Sequence, residues 1–282
     1  EVTNPVAGCN GNESCNGLGQ CSEPVINVIY IHGRRADDPE GPPQNFEYWT
    51  NWGGSESDLL SEDPARNIAV NWDGKMRLAD AEPIATTALD ENCRGNQFCF
   101  VYCHSTGCML AGRALADHGS THAWNIISVL NSGSASGGSE LADMVLEYAA
   151  EQGKLEEVKA GNTVPVEVDF IFFSKTFSAA PTDLDLKVSA ARSPSATYDH
   201  NKTFGVPFRY AAGNATLDEA KMLSSFFLPG DDDGAVAFHS ACGCNAASNV
   251  DYCNESACTP YQGHHYEFGI PGGFDDNHAE MV

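Results

Sequence analysis

Two short apolar runs, each followed by polar residues and glycine, restrict the fold of this 282-residue chain. Val25–Ile31 (VINVIYI) is apolar at nearly every position and is followed by 32–33 (HG), while 98–103 (FCFVYC) leads into 104–107 (HSTG). A strand that is apolar on both faces is typical of the interior of a parallel sheet. In such sheets, functional residues gather beyond the carboxyl ends of the strands. The two polar segments are therefore the first places to look for a site.

Helical and strand-like segments alternate along the chain at the spacing that parallel crossovers require. Helices are predicted at 80–91, 108–118 and 140–152, and further strands at 68–72, 126–130, 166–173 and 206–211. Residues 174–205 look irregular and polar, and 241–282 have little periodicity. The alternation predicts an α/β fold with a mostly parallel central sheet flanked by helices. We expect a Cys-containing extension at 1–24 and one domain at 25–282, with cap or lid elements within 34–66 and 139–205.

The charge balance limits the partners of the protein. Lys and Arg number 15 against 39 Asp and Glu, which gives a formal net charge of −24. Such a surface repels phosphate backbones and anionic headgroups, so it disfavours nucleic-acid binding and electrostatic membrane docking. No run of 18 apolar residues is present, so the sequence predicts no integral membrane segment. A small-molecule or lipid-like substrate fits this composition better.

Eleven cysteines are far more than an intracellular enzyme of this size usually carries. No C-x2-C pair is present, so disulfides explain the cysteines better than zinc does. Disulfides favour an oxidising, extracellular setting, and the start at Glu1 without a signal-like segment reads as a mature secreted chain. We expect bridges that include Cys93–Cys99 and pairs within 242–258, with Cys103 unpaired. No metal or cofactor is predicted.

The segment 103–107 (CHSTG) has the character of a nucleophile elbow, with Ser105 as the nucleophile. Such an elbow is a sharp turn between a strand and a helix, usually written G-x-S-x-G because the two backbones approach closely. Here Cys103 replaces the first glycine, although cysteine is small and often buried. The alternative is a serine in an ordinary turn. The apolar strand before it and the apolar helix after it favour the nucleophile.

Acyl transfer at Ser105 would need backbone donors for an oxyanion, and two are predicted. One is the N–H of Thr106, directly after the nucleophile. The other is the N–H of Arg34, in the turn that follows the 32–33 strand end. Both lie after predicted parallel strands, so they should meet at one edge of the sheet.

A catalytic triad requires an acid and a histidine that follow the serine in the chain. Asp233 is the predicted acid, because it directly precedes Gly234 in the acidic turn 231–236 (DDDGAV). The other interpretation of this turn is a solvated acidic loop. Chain order leaves His239, His264, His265 and His278 as bases, and His239 lies too near the acid for the usual connection.

These motifs resemble secreted lipases and esterases of the α/β-hydrolase fold, bacterial true lipases especially. The matching pieces are 32–33 (HG), 104–107 (HSTG), 138–143 (GSELAD) and 233–236 (DGAV), in that order. The resemblance covers roughly 25–145 and 205–282. In such lipases the catalytic histidine often follows Asn or Asp near the C-terminus, which implies His278 in 277–281 (NHAEM), with His264 or His265 as the alternative base.

The resemblance implies a secreted serine hydrolase that cleaves carboxylic esters through an acyl-enzyme on Ser105. The net charge of −24 favours neutral esters, glycerides or polyesters over anionic phospholipids as substrates. Phe46, Trp49 and Trp52 follow the oxyanion segment and are predicted to line the substrate site, although they also suit a satellite core under a long loop. Two alternatives stay open. One is an acyltransferase on the same scaffold, and the other is a non-catalytic binding protein that has kept the α/β-hydrolase fold.

Overall fold

The computed structural model describes residues 14–15, 21–35, 45–50, 59–169, 174–192, 206–211, 228, 232–241 and 265–267. Its strands are β1 (Ser14–Cys15), β2 (Cys21–Ser22), β3 (Val25–Ile31), β4 (Asn67–Val70), β5 (Gln97–His104), β6 (Ile126–Ser132), β7 (Val164–Asp169), β8 (Ser174–Ala179), β9 (Phe208–Ala211) and β10 (His265–Glu267). Its helices are α1 (Glu47–Thr50), α2 (Leu78–Asn92), α3 (Thr106–His122), α4 (Glu140–Glu151), α5 (Leu155–Lys159), α6 (Asp183–Leu186), α7 (Val188–Ala191) and α8 (Phe238–Ala241).

Six of the described strands form the main sheet in the order β10-β9-β6-β5-β3-β4, and every neighbouring pair in it is parallel. The two apolar runs lie side by side in its interior, where β3 pairs with β5 from Val25↔Gln97 to Ile31↔Cys103. Because both strands end at the same edge, 32–35 and the turn at Ser105 come together. The predicted parallel α/β architecture is confirmed.

The main core lies between this sheet and helices α2 and α3. Ile29 and Ile31 of β3 face it, together with Val101 of β5 and the helix residues Leu89 and Met109. Alternate residues of β3 point the other way, where Tyr30 packs against α1. Both faces of β3 are therefore buried toward its carboxyl end, as its uninterrupted apolar sequence predicts.

A second core lies beside the main sheet. Helices α4 and α5 pack on the antiparallel hairpin β7–β8, through residues that include Val145, Val158, Val166 and Val168. The expectation that 174–205 is irregular is wrong for 174–191, which hold β8, α6 and α7. The reason is that β8 exposes its first three residues, so its strand structure comes from backbone pairing with β7 and leaves little apolar pattern.

Two further predictions about the chain can be compared with the described residues. The disulfide Cys93–Cys99 is present, with 5.4 Å between its Cα atoms. The aperiodic tail contributes β10 as an edge strand of the main sheet, a feature that the sequence pattern missed. The expected bridges within 242–258 and most of the extension 1–24 lie outside the described residues. In the part of the chain described, no helix has both the length and the apolar character needed to cross a bilayer.

Candidate active site

Ser105 is the single residue between β5 and α3, and it has a φ of 55° and a ψ of −127°. A positive φ is uncommon for a residue other than glycine, and such conformations cost about 1–3 kcal/mol each. Backbone bonds hold this one: the Ser105 N–H donates to the Ser132 carbonyl (3.0 Å), and its own carbonyl accepts from Cys108 N–H (3.1 Å) and Ala135 N–H (3.2 Å). Ser105 therefore occupies a sharp, pre-set turn, which is the geometry of a nucleophile elbow.

Two glycines let the end of β3 touch this elbow. A Cβ atom on Gly107 would lie 2.2 Å from the Ile31 carbonyl oxygen and 2.4 Å from that of His32. A Cβ atom on Gly33 would lie 2.6 Å from the Ser105 Cβ atom. Side chains at these positions would force the backbones apart. The two glycines thus bring the 32–34 turn directly against the candidate nucleophile.

The prediction that Cys103 is unpaired is wrong, because Cys103 forms a disulfide with Cys108. The chain reverses direction sharply at Ser105, which brings the Cα atoms of these two buried cysteines to 4.9 Å. The disulfide thus spans the elbow and occupies the place of the first glycine in the motif. A sulfur held in a disulfide is not a thiolate, so Cys103 is not available as a nucleophile in this state.

Thr106, one predicted oxyanion donor, is the first residue of α3 and is fully buried. The first N–H groups of a helix have no partner within the helix, and they carry the positive end of its dipole. The Thr106 side-chain hydroxyl is also buried and has no hydrogen-bond partner. The start of α3 therefore offers an electropositive N–H beside Ser105.

His32 and Trp72 stabilise the turn after β3 through ring stacking and hydrogen bonds. Their rings stack with centroids 5.3 Å apart, Trp72 Nε1 donates to the His32 carbonyl (2.9 Å), and His32 Nε2 lies 2.6 Å from the Trp72 carbonyl. His32 Nδ1 lies 2.7 Å from the Gly33 carbonyl. Burial lowers the pKa of His32 to about 4, although both carbonyl contacts favour the protonated ring. These contacts fix the backbone that leads into residue 34.

Arg34, the other predicted donor residue, is held by its side chain. Its guanidinium binds Asp183 through two bonds, Nε to Oδ1 (2.5 Å) and Nη2 to Oδ2 (2.9 Å), and Nη2 also donates to the Ser178 carbonyl. The Asp183 side chain is 2% exposed and that of Arg34 24%. The turn beside Ser105 is thereby joined to a segment about 145 residues further along the chain.

Tyr48 of α1 completes the contacts around the elbow. Its hydroxyl lies 2.7 Å from His104 Nδ1, and both side chains are buried. The same hydroxyl would lie 2.9 Å from a Cβ atom on Gly33. Burial raises the pKa of the Tyr48 hydroxyl, so Tyr48 stays neutral at physiological pH. Tyr48 thus packs beneath the same turn that Ser105 contacts.

Of the three aromatic residues predicted to line the substrate site, Phe46 and Trp49 pack against other aromatic rings. Trp49 is buried, with its ring 5.3 Å from that of Tyr30 and 5.2 Å from that of Tyr102. Phe46 is partly buried and packs edge-on against Tyr30 at 5.4 Å. Both lie in an aromatic cluster on β3 and β5. Trp52 lies outside the described residues.

Asp233 lies in a tight turn and is 2% exposed. Its Oδ1 accepts from the N–H groups of Ala235 (3.0 Å) and Val236 (2.8 Å). Two bonds join this turn and the helix α8 that follows it to the loop after β6: Ser139 Oγ donates to the Ala235 carbonyl (2.7 Å), and Ser240 Oγ of α8 donates to the Gly138 carbonyl (2.6 Å).

The loop after β6 also contacts Ser105, through the Ala135 N–H. Asp233 and Ser105 are therefore joined through one loop at the carboxyl edge of the sheet. This arrangement differs from that of a free, solvated acidic loop.

The candidate bases are less fully described. His264 and His278 lie outside the described residues, and His265 is described only as the first residue of β10, whose strand lies two places from β6. The assignment of the base to His278 stays a prediction.

Sequence reasoning missed three supports of the elbow: the Cys103–Cys108 bridge, the Arg34–Asp183 ion pair and the Tyr48–His104 contact. The ion pair and the Tyr48 contact join residues 149 and 56 positions apart, so no local pattern reveals them. For the disulfide a signal was present, because two cysteines flank the predicted elbow. A turn as sharp as an elbow brings such residues together.

No protein-family model matches this chain, and no curated protein matches its sequence. Among solved structures it is similar to the Bacillus licheniformis lipase BlEst2 in its propeptide form, with a TM-score of 0.52 and 14% identity over 91% of this chain. The match spans 47% of that lipase, so this chain corresponds to about half of its length.

The chain is also similar to lipase 1 from Pelosinus fermentans, with a TM-score of 0.49 and 11% identity over 91% of this chain and 93% of that one. The metagenomic carboxyl esterase MGS0156 matches with a TM-score of 0.48 and 17% identity over 78% of this chain and 61% of that one. At 14% identity, the similarity to BlEst2 shows the fold and nothing finer. The parallel sheet, its helices and the turn at Ser105 agree with that fold, and the chain has the architecture of an α/β-hydrolase.

Proposed function

We propose that the protein is a serine hydrolase that cleaves carboxylic esters, with Ser105 as nucleophile, Asp233 as acid and His278 as base. The observation that carries the proposal is the backbone of Ser105, which has a positive φ, is held by backbone hydrogen bonds to Ser132, Cys108 and Ala135, and lies directly against Gly33. Strain of this kind persists only where the surroundings hold it, and it clusters at active sites. A serine in an ordinary turn would not need it.

In the first half of the reaction, Ser105 Oγ attacks the ester carbonyl carbon and His278 takes the hydroxyl proton. Asp233 orients the imidazole and stabilises the imidazolium. The N–H groups of Arg34 and Thr106 bind the oxyanion that forms, and one such donor contributes about 2.7–4 kcal/mol in comparable enzymes. The carbon–oxygen bond to the alcohol then breaks, and the departing alcohol takes the proton from His278.

In the second half, His278 removes a proton from water as the water attacks the acyl-enzyme carbonyl. The same N–H groups bind the second oxyanion. Collapse of this intermediate releases the carboxylic acid, and Ser105 Oγ recovers its proton from His278. Every proton taken up is returned, so no cofactor is needed to balance the cycle.

The substrate class follows from charge, and the location from cysteine chemistry. A net charge of −24 disfavours anionic interfaces, so neutral esters, glycerides and polyesters suit the protein better than anionic phospholipids. The two disulfides Cys93–Cys99 and Cys103–Cys108 support an oxidising compartment, and we infer that the protein is secreted.

Hydrolysis of p-nitrophenyl esters of increasing acyl length tests the proposal directly. We expect the parent protein to be active and Ser105→Ala to lose nearly all turnover, because the nucleophile is gone. Ser61→Ala is the matched serine control. Ser61 precedes β4 in the chain and is not part of the proposed triad, so this variant should keep full activity. A fluorophosphonate probe should label the peptide that contains Ser105. Turnover that survives in Ser105→Ala would refute the assignment.

The histidine and the two alternatives are tested with the same assay. His278→Ala should lose almost all turnover while His264→Ala and His265→Ala keep much of it, and the reverse pattern would contradict His278 as the base. Added alcohol that diverts most product from acid to new ester would indicate an acyltransferase. Inactivity on every acyl length, together with no labelling of Ser105, would favour a binding protein.

A further inference from the structure

Two arginine–aspartate pairs join one segment of the chain to the carboxyl edge of the main sheet. We call residues 178–187, which run from the end of β8 through α6, the anchor segment. Asp183 in it binds Arg34 in the turn after β3, and Asp185 in it binds Arg77 at the start of α2, with Nε to Oδ2 at 2.9 Å and Nη2 to Oδ1 at 2.7 Å. The pairs share a two-bond geometry, but only the first reaches the turn beside Ser105.

The Arg34–Asp183 pair is built for rigidity. Asp183 is almost fully buried, and its Oδ2 accepts a second bond from the Ala180 N–H (2.8 Å). Arg34 adds a third guanidinium bond to the Ser178 carbonyl. A planar guanidinium held by two parallel bonds has a fixed orientation as well as a fixed position. Asp183 therefore fixes the whole Arg34 side chain against the anchor segment.

Further contacts restrict the backbone on either side of residue 34. The Gly33 carbonyl lies against His32 Nδ1, and the Arg35 N–H donates to the Gly74 carbonyl (3.2 Å). Gly33 itself has no room to move toward Ser105, since its hydrogens already face the Ser105 Cβ atom. The backbone is thus held at residues 33 and 35. The orientation of the peptide group between Gly33 and Arg34 then depends on how the Arg34 side chain is held.

We propose that Asp183 is a positioning residue of the oxyanion hole: it holds the Arg34 side chain so that the Arg34 backbone N–H points at the oxygen of the tetrahedral intermediate. This inference rests on the proposed function. An oxyanion donor acts mainly in the transition state, so its displacement lowers kcat far more than it changes KM. A misplacement of about 1 Å costs about a hundredfold in rate.

The test compares Asp183→Asn with Asp185→Asn in the same ester hydrolysis assay. Each variant keeps the side-chain shape and removes one charge from an arginine pair, but the Asp185 carboxylate bonds to Arg77 and the Leu78 N–H at the start of α2 rather than to the 32–35 turn. We expect Asp183→Asn to lower kcat by about 10- to 100-fold with KM within twofold, and Asp185→Asn to change neither by more than twofold. Circular dichroism and denaturant unfolding establish that both variants are folded.

A second readout separates positioning from general destabilisation. Phosphonylation of Ser105 by a p-nitrophenyl phosphonate also develops charge on the oxygen that the hole binds, so its rate constant should fall in parallel with kcat. Arg34→Ala keeps the backbone N–H and should lose as much as Asp183→Asn. The double variant Arg34→Ala/Asp183→Asn should be no worse than Arg34→Ala, because Asp183 acts through Arg34. If Asp183→Asn does not fold, Arg34→Lys, which keeps the charge but not the two-bond geometry, carries the test.

The outcomes distinguish this inference from the proposed function. An active parent with labelled Ser105, together with equal kcat in Asp183→Asn and Asp185→Asn, overturns the positioning role and leaves the esterase proposal standing. Additive losses in the double variant also overturn it, since they show that Asp183 acts without Arg34. A folded parent with no ester hydrolysis and no labelling overturns both.

Discussion

Substitution of Gly107 by alanine is the most direct physical test of the elbow. The new Cβ atom would lie 2.2 Å from the Ile31 carbonyl oxygen and 2.4 Å from that of His32. An ordinary carbon–oxygen contact needs about 3.3 Å, so α3 and β3 must separate by about 1 Å. Both obstructing atoms are backbone, and β3 pairs with β4 and β5, so no side-chain rotation relieves the clash.

We expect Gly107→Ala to lower the free energy of unfolding by about 3 kcal/mol, at the upper end of what overpacking costs, because two carbonyls clash at once. The same separation moves Ser105 away from the 32–34 turn, and about 1 Å of displacement should lower kcat by about a hundredfold. Urea unfolding measures the first quantity, and p-nitrophenyl ester hydrolysis the second.

Gly153→Ala is the matched control. Gly153 has a φ of +70° and open space around its Cβ position, so alanine there should cost about 1–2 kcal/mol of stability and leave kcat unchanged. A Gly107→Ala protein with the stability and turnover of the parent would refute the close approach of α3 to β3, and with it our explanation of why glycine follows the nucleophile.

Two more predictions use the same assays. Cys103→Ala/Cys108→Ala should lose about 2 kcal/mol of unfolding free energy, as expected for a loop of about six residues, and Ser105 in it should react more slowly with the fluorophosphonate probe. The control variant Cys93→Ala/Cys99→Ala should lose stability alone. Equal labelling rates in the two variants would contradict a role of the Cys103–Cys108 disulfide at the elbow. The pKa of buried His32, about 4, lies below its ordinary 6.5, so the unfolded chain binds the proton first. Between pH 6.5 and 4 the parent should therefore lose about 3 kcal/mol more stability than His32→Asn in urea unfolding, and equal losses would mean that the ring is charged in the folded state.

The central sheet and the elbow could be predicted from the sequence because their signals are local. β3 lies in the interior of the sheet, and both of its faces are buried toward its carboxyl end. The nearly continuous apolar sequence of residues 25–31 predicts this environment. β5 ends where polar residues begin, and Ser105 follows at once. Strand, turn and helix lie within 26 residues, so pattern and structure correspond directly.

Elements that depend on distant partners left little trace in the sequence. β8 is exposed over its first half and becomes a strand by pairing with β7, whose alternating valines were visible. β10 has three residues and is ordered by pairing with β9. The prediction for Cys103 failed for a different reason: the spacing of the two cysteines does not by itself show that they meet, although the elbow predicted between them brings their Cα atoms to 4.9 Å.

The position of Asp233 after Ser105 in the chain was enough to predict it as the acid, but it gave no information about the contacts that join the two residues. The acid turn could be ranked by its position after the nucleophile, but its distance from Ser105 depends on the loop after β6, whose serines have no strand or helix pattern. Ser139 lies in the 138–143 piece that resembles lipases but is not among the predicted site residues, yet its hydroxyl donates to the Ala235 carbonyl, and the Ala135 N–H four residues earlier donates to the Ser105 carbonyl. Because that loop is hydrogen-bonded at both ends, a shift of the acid turn would reach the nucleophile through the Ser139 hydroxyl and the Ala135 N–H rather than through solvent. The small, buried residues of 133–139 are therefore part of what sets the distance between acid and serine.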